Sequence, residues 1–521
     1  MHNVHARESD NFRSSPATGA TPGYDLAVNP RPVAPPAVRR AAIANLGCKV
    51  NQSEMDTVER LLRARGVELV DAHEAADLVV VNTCTVTSIA DRKSRQAVRR
   101  ARRTNPGAQI LVTGCSVAID PEALAAADPA ARLYDNESKG RLLDELASLL
   151  ELPDGAPMPT LSGVEHTPDR SFEPEANEGP AEDAFADATD IDRTRAFVKI
   201  QDGCSFHCTY CIIPRARGSE RSIPADEVVS EVRRAISAGH REAVLTGINA
   251  GTYDGGAEDG AEVGAAVGAR DGVAAAGGAA ASPSLAGLVR RILAETRVER
   301  IRLSSIEPQH VTDELLDVWT GSGGRCLPHF HIPLQSGDDT ILRRMGRRYD
   351  TAFYAELAAR VRRTIPGVAV HADVIVGFPG EDDAAWDRTA AFLRSLDLAG
   401  VHVFRYSMRP GTPAARMIGQ VDARTKKRRS AEALAIAADA RARFAERHLG
   451  RELRVLFEQK LPDGRWLGHA ESHVLVAAAS PDGRSLENAI GLVRAEGIDA
   501  AASDRLVGSL LSISRPQEPL A

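Results

Sequence analysis

Six of the seven cysteines stand where thiol chemistry can be built from them. Cys204, Cys208 and Cys211 lie within eight positions of the stretch QDGCSFHCTYCIIPRARGSERS, in the spacing C-x3-C-x2-C. Thiolates are soft ligands that select zinc, copper(I) or iron–sulfur clusters. A zinc ribbon brings four ligands, often as two CxxC pairs, and no fourth cysteine lies nearby. His207 leaves a Cys3His zinc site as an alternative, but its position directly beside Cys208 makes a shared tetrahedral ion hard to reach. A cubane on three thiolates instead leaves one iron free for a substrate or cofactor. This spacing, after a strand that opens a run of β/α units, points to a 4Fe-4S cluster that binds S-adenosylmethionine (SAM). One electron would then cleave a carbon–sulfur bond and give a 5′-deoxyadenosyl radical, which calls for an enclosed site.

Two later segments are candidates to hold the rest of SAM: LTGIN (Leu245–Asn249) and VGFPGE (Val376–Glu381). Gly247, Gly377 and Gly380 permit close backbone approach, the alternative being ordinary turn glycines. Tyr210 either stacks on the adenine or simply packs.

Cys48, Cys84 and Cys115 are scattered, yet each follows an apolar run: IANLGC, VVVNTC and ILVTGC. In a doubly wound sheet the carboxyl ends of the strands line one crevice, so the three thiols should converge there. Inert buried cysteine is the general alternative, but the recurrence at all three strand ends favours a second three-thiolate cluster. Cys326 fits neither set and reads as structural.

The elements that must position these thiols come in three groups. Alternating strand and helix patterns over residues 40–150 imply a parallel-sheet α/β domain. A second series has candidate strands Phe197–Ile200, Glu242–Gly247, Arg300–Ser305, Pro328–Leu334, Val368–Phe378 and Val401–Ser407. Six β/α units over residues 193–443 suggest a partial (β/α)6 barrel rather than the full eight. Residues 254–284, almost all Gly, Ala and acidic, read as a flexible insertion. After a charged helix, residues 444–517 carry short β runs split by PDG turns, which fit a small OB-like β-barrel. Residues 1–39 read as a disordered leader.

Net charge is −7, but Glu165–Asp192 alone contributes −9, and removing it leaves the remainder near +2. That segment lies in an acidic linker, residues 151–192, with too few large apolar residues to fold. Basic runs at Asp91–Arg103, Leu342–Asp350 and Arg424–Ser430 make a polyanionic partner plausible, although such runs are often only solvated helix faces. No stretch approaches roughly 18 uninterrupted apolar residues, so no membrane partner and a cytoplasmic address are expected.

Over roughly Ala41–Arg515 the chain resembles the radical SAM methylthiotransferases, and within them the tRNA N6-threonylcarbamoyladenosine branch. The segments that carry the resemblance are LGCKVNQSE, VNTCTVTSIADRKSRQ, KIQDGCSFHCTYCIIPRARGSERS, VLTGIN, RLSSIEP, HIPLQSGDD and DVIVGFPGE. It implies an N-terminal cluster domain, a radical SAM core and a C-terminal TRAM domain. It further implies two 4Fe-4S clusters, one on Cys48, Cys84 and Cys115 that supplies or carries sulfur, and one on Cys204, Cys208 and Cys211 that cleaves SAM. The implied product is a methylthio group on C2 of the modified adenosine at position 37, next to the anticodon. Partners would be the tRNA anticodon loop and an electron donor such as flavodoxin or ferredoxin. Against the family pattern, the terminal barrel reads GHAESHVLV, with His469 and His473 at aromatic positions. The rival readings are a methylthiotransferase acting on an aspartate of a small-subunit ribosomal protein and a non-catalytic iron–sulfur RNA-binding protein.

Overall fold

LVVVNT, buried at all six positions, forms β3 (Leu78–Thr83), the apolar run expected of a strand covered on both faces. It lies at the centre of a five-stranded sheet with β1 (Arg40–Asn45), β2 (Glu68–Val70), β4 (Gln109–Gly114) and β5 (Arg132–Tyr134). All pairings are parallel, in the order β2-β1-β3-β4-β5. Helices α1 (Lys49–Ala64) and α2 (Ser88–Thr104) follow β1 and β3. The computed structural model describes residues 38–150, 194–256 and 284–514. Most of the expected leader and insertion, and all of the expected linker, lie outside those residues.

The middle of the chain forms β6 (Arg195–Lys199), β9 (Glu242–Thr246), β10 (Arg300–Leu303), β11 (His329–His331), β12 (Ala369–Val376) and β13 (Gly400–Arg405). β7 (Gln201–Asp202) and β8 (Arg221–Ser222) form a short antiparallel pair at the base of the cysteine loop. The parallel sheets β6-β9-β10 and β11-β12-β13 are joined by the bridges Ile301↔Cys326 and Ser305↔His331. The six strands therefore run in chain order as one row, the partial barrel read from the sequence. β11 is shorter than the expected Pro328–Leu334, since Pro333 has no N–H to give a ladder.

Along these strands one set of alternate residues, among them Val198, Leu245, Ile301, Phe330, Val370 and Val401, enters the apolar core under the helices. The other set faces the barrel's interior and is polar: Arg195 and Lys199, Glu242, Arg300 and Arg302, His329 and His331, His371 and Asp373, and His402. Cys326 is 4% exposed, its backbone N–H donates to Ser322 Oγ at 3.1 Å, and burial pushes its thiol up to about 12.

Helix Ala423–Glu446 runs past the boundary expected at residue 443 and packs on β13. It leads into a closed barrel, β14 (Glu452–Lys460), β15 (Trp466–Ala470), β16 (Leu475–Ala478), β17 (Ile490–Asp499) and β18 (Ala502–Ser514), in the order β14-β15-β16-β18-β17.

Candidate metal centres

Cys48, Cys84 and Cys115 follow β1, β3 and β4, close enough for Cys115 to act electrostatically on both Cys48 and Cys84. Cys48 is the N-cap of α1 in extended conformation, and no side chain caps that helix end. Its thiol donates to Asn51 Oδ1 at 3.5 Å, and Asn136 Nδ2 donates to Cys115 Sγ at 3.6 Å. Gly114 immediately before Cys115 has φ +100°, and a Cβ there would lie 2.4 Å from Asn82 Oδ1 and Thr83 O. Only glycine lets β4 end against β3 in this way. Burial pushes the Cys84 thiol up to about 12, with Cys115 and Cys48 adding to the rise. A bound cation reverses that balance and holds such thiols deprotonated.

Cys204, Cys208 and Cys211 are half-buried in the loop after β7. Arg347 Nη1 donates to Cys208 Sγ at 3.3 Å. Arg347 is itself fixed by Glu307 and by Tyr349, to whose hydroxyl its Nε donates at 3.0 Å. Among the described residues, the groups of three potential ligands whose atoms all lie within 4.8 Å are His329/His371/His473 and His331/Asp373/His402; neither thiol trio has that spacing. A single tetrahedral zinc would hold its sulfurs about 3.8 Å apart. Wider spacing, with three soft ligands, fits a cluster in which each thiolate takes a different iron.

The two thiol sites are tied by a charged hub buried between the domains. Glu54 of α1, 0% exposed, accepts from Lys139 at 2.5 Å, Lys199 at 3.0 Å and Arg217 at 3.2 Å. Asp202 accepts from Lys199 at 2.7 Å and Arg217 at 2.8 Å. Arg217 also donates to Asn51 Oδ1 at 2.5 Å. It belongs to the loop of the second trio, yet it lies near enough to Cys48 and Cys115 for their charge to raise its pKa. Burial would push the Glu54 carboxyl up, but the three cations more than offset it and hold it well below the usual carboxylate range.

Of the candidate SAM residues, two stand directly after barrel strands and Tyr210 lies in the cysteine loop. Gly247 follows β9, and Gly377 follows β12. A Cβ on Gly377 would meet Lys426, and one on Gly380 would meet Arg344, so packing within the protein already explains glycine at both. Tyr210 stands edge-on to Phe378, with ring centroids 6.4 Å apart. Two of the three basic runs turn partly inward: Arg347 is spent on Cys208, and Arg429 pairs with Glu381 at 2.8 Å. In α2, Arg92, Arg99 and Arg103 remain exposed. His469 and His473 likewise face the core: His469 pairs with Glu458 at 2.7 Å, and His473 stacks on His329. Lys49, Glu54, Arg217, Arg302 and Arg347 fall in segments the sequence singles out, but their individual roles carry no sequence signal, because their partners lie far away in the chain.

A partial (β/α)6 barrel with C-x3-C-x2-C at its first strand end defines a radical SAM protein. The comparisons agree: the chain matches the Radical SAM superfamily over residues 198–393 and the uncharacterized protein family UPF0004 over residues 40–134. It is 34% identical to the threonylcarbamoyladenosine tRNA methylthiotransferase MtaB of Bacillus subtilis, across 84% of this chain and 89% of that protein. It is 32% identical to the tRNA-2-methylthio-N(6)-dimethylallyladenosine synthase of Maricaulis maris, across 92% and 98%. Among solved structures, the radical S-adenosylmethionine methyltransferase TsrM from Kitasatospora setae, with cobalamin and a 4Fe-4S cluster bound, has a TM-score of 0.48 at 16% identity, covering 72% of this chain and 77% of that one. The chain belongs to the radical SAM methylthiotransferase family, in its threonylcarbamoyladenosine branch.

Proposed function

We propose that this enzyme transfers a methylthio group to C2 of N6-threonylcarbamoyladenosine at position 37 of tRNA. The observation that carries the reading is the pair of three-thiol sites on separate domains, joined through Glu54 and Arg217. Cys204, Cys208 and Cys211 would hold one 4Fe-4S cluster, and Cys48, Cys84 and Cys115 the other. When bound, the first would supply an organic radical from SAM and the second the sulfur to be inserted. Arg347 gives the Cys208 sulfur a charge-assisted hydrogen bond. Gly247, Gly377 and Gly380 would contact SAM from the strand ends, and Tyr210 from the cysteine loop. Packing of α1 against β6, and docking of the terminal barrel through His469 and His473, help to shield the interior from water.

An anticodon-loop base suits such an interior, because a single-stranded base enters a pocket without unpairing a helix. Exposed Arg92, Arg99 and Arg103 on α2 would hold phosphates. The half-buried thiols of the second site lie nearer the surface than the buried Cys84 and Cys115, which suits delivery of electrons there by a flavodoxin or ferredoxin. Work on tRNA agrees with a cytoplasmic protein, and no described helix is long and apolar enough to cross a membrane. Nucleoside analysis of bulk tRNA from a deletion strain tests the substrate. The 2-methylthio derivative of threonylcarbamoyladenosine should vanish while its unthiolated parent accumulates; its persistence, with no second enzyme present, sinks the assignment.

A further inference from the structure

We propose that Lys49 and Arg302 form a carboxylate receptor inside the barrel, and that it reads the threonyl carboxylate of the modified adenosine. The inference rests on the function proposed above and names the group by which that substrate is told from a neutral one.

Lys49 is the residue after Cys48. Its side chain is solvent-accessible and lies over Phe197, which shares the inward-facing row of β6 with Arg195 and Lys199. The charges acting on it come from four barrel strands: Arg195, Arg302, Glu242 and Asp373. Its Nζ lies 5.9 Å from the ring centre of Phe197 on β6, and no hydrogen bond or ion pair holds it among the described residues.

Arg302 is 1% exposed. Its Nε donates to Glu242 Oε1 at 2.7 Å, but Nη1 and Nη2 are buried without any acceptor. A guanidinium brought out of water with both terminal nitrogens unsatisfied is costly unless something completes it. Glu242 is fully used, since its other oxygen takes Arg300 Nε at 2.7 Å.

The surroundings decide the sign of the missing ligand. Lys49, Arg195, Arg300 and Arg302 stand against Glu242, Glu458 and Asp373. The imidazoles of His329, His371 and His473 are neutral, because burial and the neighbouring cations push them well below the ordinary histidine range. The charged groups that act on Arg302 are Glu242, Arg300 and Arg195, so its free guanidinium nitrogens sit among more cations than carboxylates, which favours an anion as the group that completes them. The same excess argues against a metal ion on those three histidines: Arg195 Nη1 lies 3.5 Å from His473 Nε2, and Arg302 acts on all three rings. A carboxylate also matches the planar fork of a guanidinium, with a lysine as a second point charge. In the adenine ring, C6 is separated from C2 only by N1. With C2 turned to the thiol loop at the strand ends, the N6 substituent can extend into the barrel.

The test uses the full chain with both clusters reconstituted and three anticodon stem–loops. These carry N6-threonylcarbamoyladenosine, its methyl ester, or N6-isopentenyladenosine. Binding is read by fluorescence anisotropy and turnover as kcat and KM. The wild type should prefer the acid over the ester by about 10- to 100-fold in kcat/KM and in affinity. Lys49→Met and Arg302→Met should each collapse that ratio toward one, while Lys49→Arg should keep most of it. Arg302→Met risks the fold by freeing Glu242; Lys49→Met does not, since Lys49 holds no acidic partner. A purely structural role would lower activity on acid and ester alike. Equal use of acid and ester by the wild type, or variants that lose activity with the ratio intact, overturns the receptor and leaves the function standing. Methylthiolation of the isopentenyl loop alone overturns both.

Discussion

Replacing Glu54 by Gln removes the negative charge from a fully buried site and keeps its shape. Three cations lose their common partner: Lys139 at 2.5 Å, Lys199 at 3.0 Å and Arg217 at 3.2 Å. Asp202 alone then faces them, and it reaches only Lys199 and Arg217. Breaking a buried pair by removing one partner costs about 3–5 kcal/mol. The glutamine oxygen keeps one acceptor, so about 3 kcal/mol is the expected loss, with the leucine variant nearer 5. For domains of this size that is a fall in melting temperature of about 6–12 °C. The pH dependence has a definite sign. The folded-state pKa of Glu54 is depressed, so its stabilisation is full above the unfolded value of about 4.3 and is lost as pH falls through the folded value. Wild type and Glu54→Gln should thus differ by a constant gap from pH 6 to 8, and the gap should narrow below about pH 4. Differential scanning fluorimetry across that range measures it. A gap under about 2 °C at pH 7, or one that stays constant on acidification, refutes the hub as the interdomain tie.

The other predictions concern the centres themselves. Anaerobically reconstituted wild type should hold about eight irons per chain, and Cys48→Ala or Cys204→Ala should each leave about four; an unchanged content in either variant removes that thiol from the ligand set. Arg347→Met takes a positive donor from Cys208 Sγ, so the midpoint potential of the nearby cluster should become more negative in an EPR redox titration. Gly114→Ala should cost at least about 2 kcal/mol, because its Cβ meets backbone and Asn82 at a positive φ, and should reduce iron at the N-terminal site more than at the other.

Much of this design is legible in the chain, because it rests on local signals. Buried runs such as LVVVNT mark parallel strands, and the cysteines that follow three of them share one edge by the geometry of a doubly wound sheet. Polar strands of the second series were readable as barrel strands because their alternate residues are apolar. What could not be read is pairing across distance. Glu54 and Arg217 are 163 positions apart, and nothing in either segment reveals that one completes the other. Within the basic runs, which arginines turn inward could not be read for the same reason. A cluster of arginines looks solvated until the structure gives Arg347 a thiol and Arg429 a carboxylate. The two-residue substitution of histidine in the terminal barrel has its reason only at the docked face, where His473 meets His329.

The position of Lys49 connects the two halves of the chemistry. A residue that begins a helix has its backbone direction set by the N-cap before it, and here the N-cap is Cys48. Any ligand that fixes the Cys48 sulfur also fixes the first turn of α1, and with it the root of the Lys49 side chain. The group that faces the barrel chamber is therefore held by the same short segment that presents a thiol to the first site. Arg217 makes the reciprocal link: it leaves the loop of the second site and reaches Asn51, one turn further along α1. Rigid placement of both ends matters because the proposed reaction brings a sulfur from one domain to a carbon held in the other. Misplacement of about 1 Å in such a site can cost 100-fold in rate. A flexible tether between the domains could not hold that tolerance, whereas a buried carboxylate shared by three cations, with one of them hydrogen-bonded beside Cys48, can.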